Sequence, residues 1–152
     1  MSAPVRLAQG LAVRDGCVLL VASSYPSHPQ PLWNLPGGRV APGELLVETV
    51  IREIREETAL EATVHSLAYV SESYDGERHV LAAIFHVDVQ GAIALPHGAD
   101  HVAEVQWVAF ESLREHLPVA VVREPLLRYL AGGERYFGVH DAGITITWPE
   151  EA

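Results

Sequence analysis

Apolar positions along the chain fall into short runs broken by turn residues. Val5 to Val13 is mostly apolar and Cys17 to Ala22 is an uninterrupted apolar run, with Arg14-Asp15-Gly16 between them. Asp-Gly flanked by two such runs predicts a β-hairpin. Ser23 to Pro42 carries Pro26, Pro29, Pro31, Pro36 and Pro42 and reads as loop. Val47, Val50, Ile51 and Ile54 then recur at i, i+3, i+4 and i+7, which predicts a helix from about Pro42 or Gly43 to Thr58 with these four as its buried stripe. Ala62–Ser71 and His79–Val89 predict strands joined by a turn at Asp75-Gly76, and Val102–Phe110 predicts another, followed by a short helical piece over Glu111–His116. Pro125–Leu130 predicts a helix stopped by Gly132-Gly133, and the alternation in Gly143–Trp148 predicts an edge strand. Strands on both sides of a central helix predict an α/β domain, a mixed β-sheet flanked by helices. Residues 1–152 show no repeat or composition break, so one domain is expected.

The longest apolar runs, Cys17–Ala22 and Val80–Phe85, fall far short of the roughly 20 residues of a membrane helix. The first residues contain no apolar signal core, and the lone Cys17 excludes an internal disulfide, so a cytoplasmic location is expected. Asp and Glu number 20 against 10 basic residues, all of them Arg, for a net charge of −10. Such a surface repels polyanions, which argues against a nucleic acid polymer or an anionic membrane as partner. A small phosphorylated ligand remains compatible if metal ions mask the charge.

Six acids (Glu44, Glu48, Glu53, Glu56, Glu57 and Glu61) share one 18-residue stretch. Glu53, Glu56 and Glu57 stand at i, i+3 and i+4, on one helical face roughly 100° from the apolar stripe. Like charges so close destabilise a helix by about a few tenths of a kcal/mol per pair, a penalty that a hard cation such as Mg²⁺ removes. Taken alone, E-x-x-E-E usually marks a solvated face, here relieved by Arg52 and Arg55. The lead-in alters that balance. Trp33-Asn34-Leu35-Pro36-Gly37-Gly38 precedes the helix, and Gly38 and Gly43 have the glycine spacing of a phosphate-binding P-loop. Glu44 stands where that loop needs Lys, so the P-loop reading fails.

Gly38, Glu44 and Arg52-Glu53-Ile54-Arg55-Glu56-Glu57-Thr58-Ala59-Leu60 together resemble the Nudix box, G-x5-E-x7-R-E-U-x-E-E-x-G-U with U apolar, over Gly38 to Leu60. Ala59 replaces the last glycine; if the backbone there has positive φ, alanine costs on the order of 1 kcal/mol. The resemblance implies a Nudix-type α/β/α sandwich and metal-dependent hydrolysis of a nucleoside diphosphate linked to another group, with Mg²⁺ as cofactor and Mn²⁺ as the alternative ion. It implies Glu53, Glu56 and Glu57 as metal ligands, Glu57 or Glu56 as base, and Glu44 as ligand of a second ion or as a brace for the loop. Arg52 is expected to orient a neighbouring carboxylate, the plain alternative being a surface pair with Glu48. Gly37 and Gly38 would bring backbone close to metal or phosphate, and Arg39 is expected to contact a phosphate oxygen, the plain alternative being a solvated loop arginine. The family often uses a further carboxylate before the Trp107 segment, where this chain has His101, with Asp100 and Glu104 nearby.

Other features read plainly. His97 and His101 fall in a loop rather than a zinc site, His65, His79 and His86 read as structural or surface residues, and Cys17 reads as core. Tyr25, His28 and Trp33 border the proline-rich loop, placed to stack on a ring or, for Trp33, to pack in the core. Specificity is expected in Ser23–Leu32, Ser73–Arg78 and Arg135–Asp141. A homodimer is the prior from symmetry and family. Two alternatives stay open: a non-catalytic nucleotide-binding regulator of the same fold, and a hydrolase or isomerase of a non-nucleotide diphosphate.

Overall fold

The computed structural model describes residues 3–95 and 101–148. Its strands are β1 (Val5–Leu11), β2 (Val13–Arg14), β3 (Cys17–Ser23), β4 (Leu32–Asn34), β5 (Gly37–Arg39), β6 (Glu61–Asp75), β7 (Arg78–Gln90), β8 (Val102–Ala109) and β9 (Tyr136–Gly138). Helix α1 spans Leu46–Thr58, α2 spans Leu113–His116 after a 3₁₀ turn at Phe110–Ser112, and α3 spans Ala120–Gly132. A five-stranded mixed sheet has the order β5-β1-β7-β6-β9, and a second, four-stranded sheet joins β3 to β2, β4 and β8.

The predicted hairpin is only partly right. Asp15 (φ 51°) and Gly16 (φ 73°) make the tight turn, yet only Val13 and Arg14 pair with Val18 and Cys17. The chain changes sheets at Ala12, and β1 lies between β5, antiparallel, and β7, parallel. A strand paired on both edges and largely covered on both faces is mostly apolar, and so is a hairpin arm packed on a core. The proline-rich loop likewise holds two short strands, β4 and β5. The predicted β6–β7 hairpin forms with its turn at Gly76 (φ 63°). The Gly143–Trp148 edge strand does not form; β9 pairs with β6 instead.

The layers follow from strand alternation. Leu19 points to a cluster with Ala8, Ala12, Val50 and Ile54 beneath α1. Its neighbours Val18 and Leu20 point the other way, to Leu113, Leu117 and Leu126 beneath α2 and α3. Helices thus cover both sides, which gives the α/β/α sandwich. Among the described residues no helix is long and apolar enough to cross a membrane.

Helix α1 starts at Leu46, three or four residues later than predicted. Gly43 has φ 82°, outside helical space, and Glu48 accepts the Leu45 N–H at 2.7 Å to cap the first turn. The buried stripe is also rotated: Thr49, Val50, Ile54, Glu57 and Thr58 are buried, whereas Val47 and Ile51 are half-buried. Helix α3 begins five residues before Pro125, which sits in its second turn, and stops at Gly133 with φ 72°.

Ala59 ends α1 in the left-handed region, φ 66° and ψ 6°, its N–H donating to Arg55 O at 3.0 Å. This is the conformation that glycine adopts without a Cβ penalty. Ala59→Gly is expected to stabilise the fold by about 1 kcal/mol, a rise of roughly 2–4 °C in thermal midpoint. Differential scanning calorimetry checks this, and an unchanged or lower midpoint would refute it.

Candidate active site

Strand β5 crosses the last turns of α1, and the two elements place seven of the predicted residues, Gly37, Gly38, Arg39, Arg52, Glu53, Glu56 and Glu57, around one cleft. Gly37 donates its N–H to Glu57 Oε1 at 2.8 Å. A Cβ on Gly38 would lie 2.6 Å from Glu53 Oε1, so the carboxylate rests against bare backbone. Glu57 is only 2% exposed, the Glu53 side chain 13% and that of Glu56 50%. The carboxylates therefore run from the floor of the cleft to its rim.

Arg52 spends all five donors on its surroundings. Its Nε and Nη2 grip Glu44 at 2.7 and 3.0 Å, Nη1 bridges Glu53 (3.0 Å) and Glu56 (3.2 Å), and Nη2 also donates to Arg39 O at 3.3 Å. Its principal partner is thus Glu44, not Glu48. Glu44, just ahead of the helix, also accepts the Ala41 N–H and the Thr49 hydroxyl. The arginine's hydrogen bonds, then the Ala41 N–H, lower the Glu44 pKa to about 2.

Glu53 and Glu57 shift the other way. Burial raises both, that of Glu57 well above the usual 4.5 and further by the charge of Glu53, with the Gly37 N–H opposing. In Glu53 the Arg52 charge opposes burial. Four carboxylates thus surround a single, fully committed guanidinium. Oxygen donors with this excess of negative charge, two of them desolvated, suit a hard divalent cation. Among the described residues no three acidic, His or Cys side chains stand close enough to share an ion; the cation that bridges Glu53 and Glu56 is Arg52.

The cleft encloses about 530 Å³ and is also lined by Gln9, Tyr25, Arg39, His101 and Trp148. His101 Nε2 stands 4.0 Å from Glu57 Oε2, and its carbonyl accepts the Ser24 N–H at 2.7 Å. Glu104 is not brought in: it is exposed on β8, opposite Ala22 and bonded to Gln106. Asp100 and His97 lie outside the described residues. Arg39 reaches the rim with its guanidinium 5.6 Å from the Trp148 ring. Trp33 packs against the core, edge-on to His116, and His28 bonds Ser27 at the surface. Trp148 was not read as a site residue, since the alternation around it carries no signal of the cleft.

The NUDIX domain pattern matches residues 4–130. The chain belongs to the NUDIX family. It is 33% identical over 127 residues to a CTP pyrophosphohydrolase of Escherichia coli (strain K12), covering 81% of this chain and 88% of that protein. It is 37% identical over 90 residues to an ADP-ribose pyrophosphatase of Methanocaldococcus jannaschii, covering 58% of this chain and 53% of that one. The chain spans about half the length of the first curated relatives it matches. Among solved structures, a MutT protein from Methanosarcina mazei Go1 superposes with a TM-score of 0.73 at 28% identity, over 89% of this NUDIX chain and 99% of that one.

Proposed function

We propose that this NUDIX protein hydrolyses the diphosphate linkage of a small nucleotide-type substrate, with a divalent cation held by Glu53, Glu56 and Glu57. The observation that carries this is the pair of desolvated carboxylates, Glu53 and Glu57, at the floor of an open cleft in which the adjacent Arg52 is already spent on its own partners. Mg²⁺ suits an all-carboxylate set, and Mn²⁺ is the alternative. Such a cation, when bound, neutralises phosphate oxygens and lowers the pKa of attacking water.

The protein's own groups then divide the remaining work. Arg52 is a positioning residue that fixes Glu44, Glu53 and Glu56 by charge-assisted bonds. Glu56, half exposed and held by Arg52 Nη1 at 3.2 Å, would exchange that bond for an ion. Glu57, buried at the floor of the cleft and held by the Gly37 N–H, is placed to take a proton from water. Gly37 and Gly38 let the β5 backbone approach without a side chain, and Arg39 on the rim presents its guanidinium to phosphate. The named relatives act on CTP and ADP-ribose, and a substrate of that class is the one expected here.

A phosphate-release screen tests the reading. Nucleoside triphosphates, ADP-ribose, nucleotide sugars, dinucleoside polyphosphates and prenyl diphosphates would be compared with Mg²⁺ and with chelator. Turnover of one nucleotide class that needs the ion is expected and is lost with chelator. Tight binding without turnover would overturn hydrolysis and favour a regulator instead.

A further inference from the structure

The family match ends at residue 130, yet the chain runs on to wall the cleft. Residues 142–148 pass from the β6–β7 hairpin to the loop after β3. Four hydrogen bonds hold them: Ala142 N–H to Tyr74 O (3.0 Å), Thr145 Oγ1 to Asp75 Oδ1 (2.9 Å), Arg78 Nη2 to Ile146 O (3.0 Å) and Thr147 N–H to Ser27 Oγ (3.0 Å). Trp148, at the end of this segment, lines the cleft together with Arg39.

The two side chains meet at the rim. The Arg39 guanidinium lies over the indole ring, 5.6 Å from its centroid, and Tyr25 meets the same residue edge-on at 5.8 Å and 87°. The Arg39 backbone is fixed separately: it pairs with Leu7 of β1, and its carbonyl accepts from Arg52 Nη2 at 3.3 Å. Those bonds do not set the side-chain torsions. An arginine side chain carries high rotamer entropy, and every torsion left to be ordered on binding lowers affinity. A ring face within about 6 Å attracts a guanidinium without taking a conventional hydrogen bond from it. Stacking on Trp148 therefore orders the cation before a phosphate arrives.

We propose that Trp148 is a positioning residue for phosphate binding. Its indole face holds the Arg39 guanidinium at the rim for an oxygen of the substrate's diphosphate, while Tyr25 and the bonds of the 142–148 segment hold the indole. This rests on the diphosphate-hydrolase reading and deepens it: a segment beyond the family match sets how tightly the phosphate end is held. The contact is with phosphate and not with the group the phosphate carries, so a ring-free diphosphate analogue reports it fully.

The test is a double-mutant cycle of Arg39→Ala and Trp148→Leu, read by calorimetric titration of methylenediphosphonate with Mg²⁺ present. Arg39→Ala is expected to weaken binding about ten-fold or more. Trp148→Leu, which removes the ring but keeps an apolar side chain, should weaken it about three- to five-fold. Added to Arg39→Ala, Trp148→Leu should have no further effect, since a positioning residue acts only through the residue it positions. Trp148→Phe keeps a ring face and should recover most of the loss. Titration with Mg²⁺ alone should give wild-type affinity in every variant, which reports an intact carboxylate floor. Additive losses, an unchanged affinity in Trp148→Leu, or a Trp148→Phe protein as weak as Trp148→Leu would overturn the proposal. So would a loss of affinity for Mg²⁺ alone in Trp148→Leu, the mark of a structural role, or a wild type that does not bind methylenediphosphonate. Ion-dependent turnover judges hydrolysis separately. Additive losses in a protein that still turns over sink the role of Trp148 only, and a coupled cycle in a protein without turnover sinks the hydrolase reading only.

Discussion

Glu57→Gln is expected to cut turnover about a thousand-fold while raising the thermal midpoint of the metal-free protein. The two effects have one origin. Glu57 is buried at the end of α1, its ionised form penalised first by burial and next by the charge of Glu53. A neutral amide of nearly the same shape keeps an oxygen for the Gly37 N–H, 2.8 Å away in the wild type, and sheds both penalties. It also removes the charge that would hold a cation and the lone pair that would take a proton. Steady-state kinetics and calorimetry on the same preparation check both halves. An unchanged rate would remove Glu57 from the mechanism, and a lower midpoint would show that the carboxylate is better paired than its burial implies.

The linked pH dependence has a definite sign. The pKa of Glu57 is raised in the folded state above the usual 4.5, so the folded protein is fully stabilised below about pH 4.5 and loses that contribution as pH rises through the raised value. Glu53 acts in the same direction. Glu44, lowered to about 2, acts oppositely: its contribution is present above pH 4.5 and is lost as pH falls toward 2. Metal-free wild-type protein should therefore lose stability above pH 4.5 more steeply than Glu57→Gln. Mg²⁺ should restore the wild type and leave the variant nearly unmoved. Parallel stability curves for the two proteins would contradict this account.

What the sequence revealed of the site, and what it hid, divides along a physical line. The carboxylate spacing was legible because a helix converts i, i+3 and i+4 into a shared face. The box pattern raised positive φ at residue 59 only as a condition, and the structure meets it with Ala59 at φ 66°. The rotation of α1 that buries Glu57 rather than Ile51 was not legible, because the Gly37 N–H that receives this carboxylate comes from a strand 20 residues away. β1 misled for a related reason: its partners β5 and β7 are remote in sequence, and a doubly covered strand carries no mark of its neighbours. Residues 143–148 alternate like a strand, yet the Thr147 N–H goes to the Ser27 hydroxyl rather than to a strand carbonyl. Periodicity reports which faces are buried, not which acceptor a backbone donor finds. Of the segments expected to set specificity, Ser23–Leu32 and Ser73–Arg78 supply Tyr25, Leu32, Ser73, Asp75 and Arg78 to a pocket of about 110 Å³ beside the cleft, and Arg135–Asp141 supplies none of its lining.

Gly37→Ala is expected to be the most damaging single-methyl change in the site, at about 3 kcal/mol or more of stability, or a midpoint drop on the order of 10 °C. An added Cβ would overlap the Ala8 carbonyl oxygen and come within 2.6 Å of Gln9 Cα, both of them β1 backbone. β1 cannot yield, because β5 holds one of its edges and β7 the other. Gly37 also has φ 151°, which side chains rarely adopt. Two neighbouring glycines separate these causes. Gly43 has φ 82° with nothing within 4 Å of an added Cβ, so Gly43→Ala should show the backbone term alone, about 1 kcal/mol. At Gly38 the added Cβ meets the Glu53 carboxylate, a side chain that can swing aside. Gly38→Ala should therefore keep much of the midpoint while weakening Mg²⁺ binding, as read by calorimetric titration. If Gly37→Ala cost no more than Gly43→Ala, β5 would be free to move off β1, and the Gly37 N–H could not be what fixes Glu57 at the floor of the cleft.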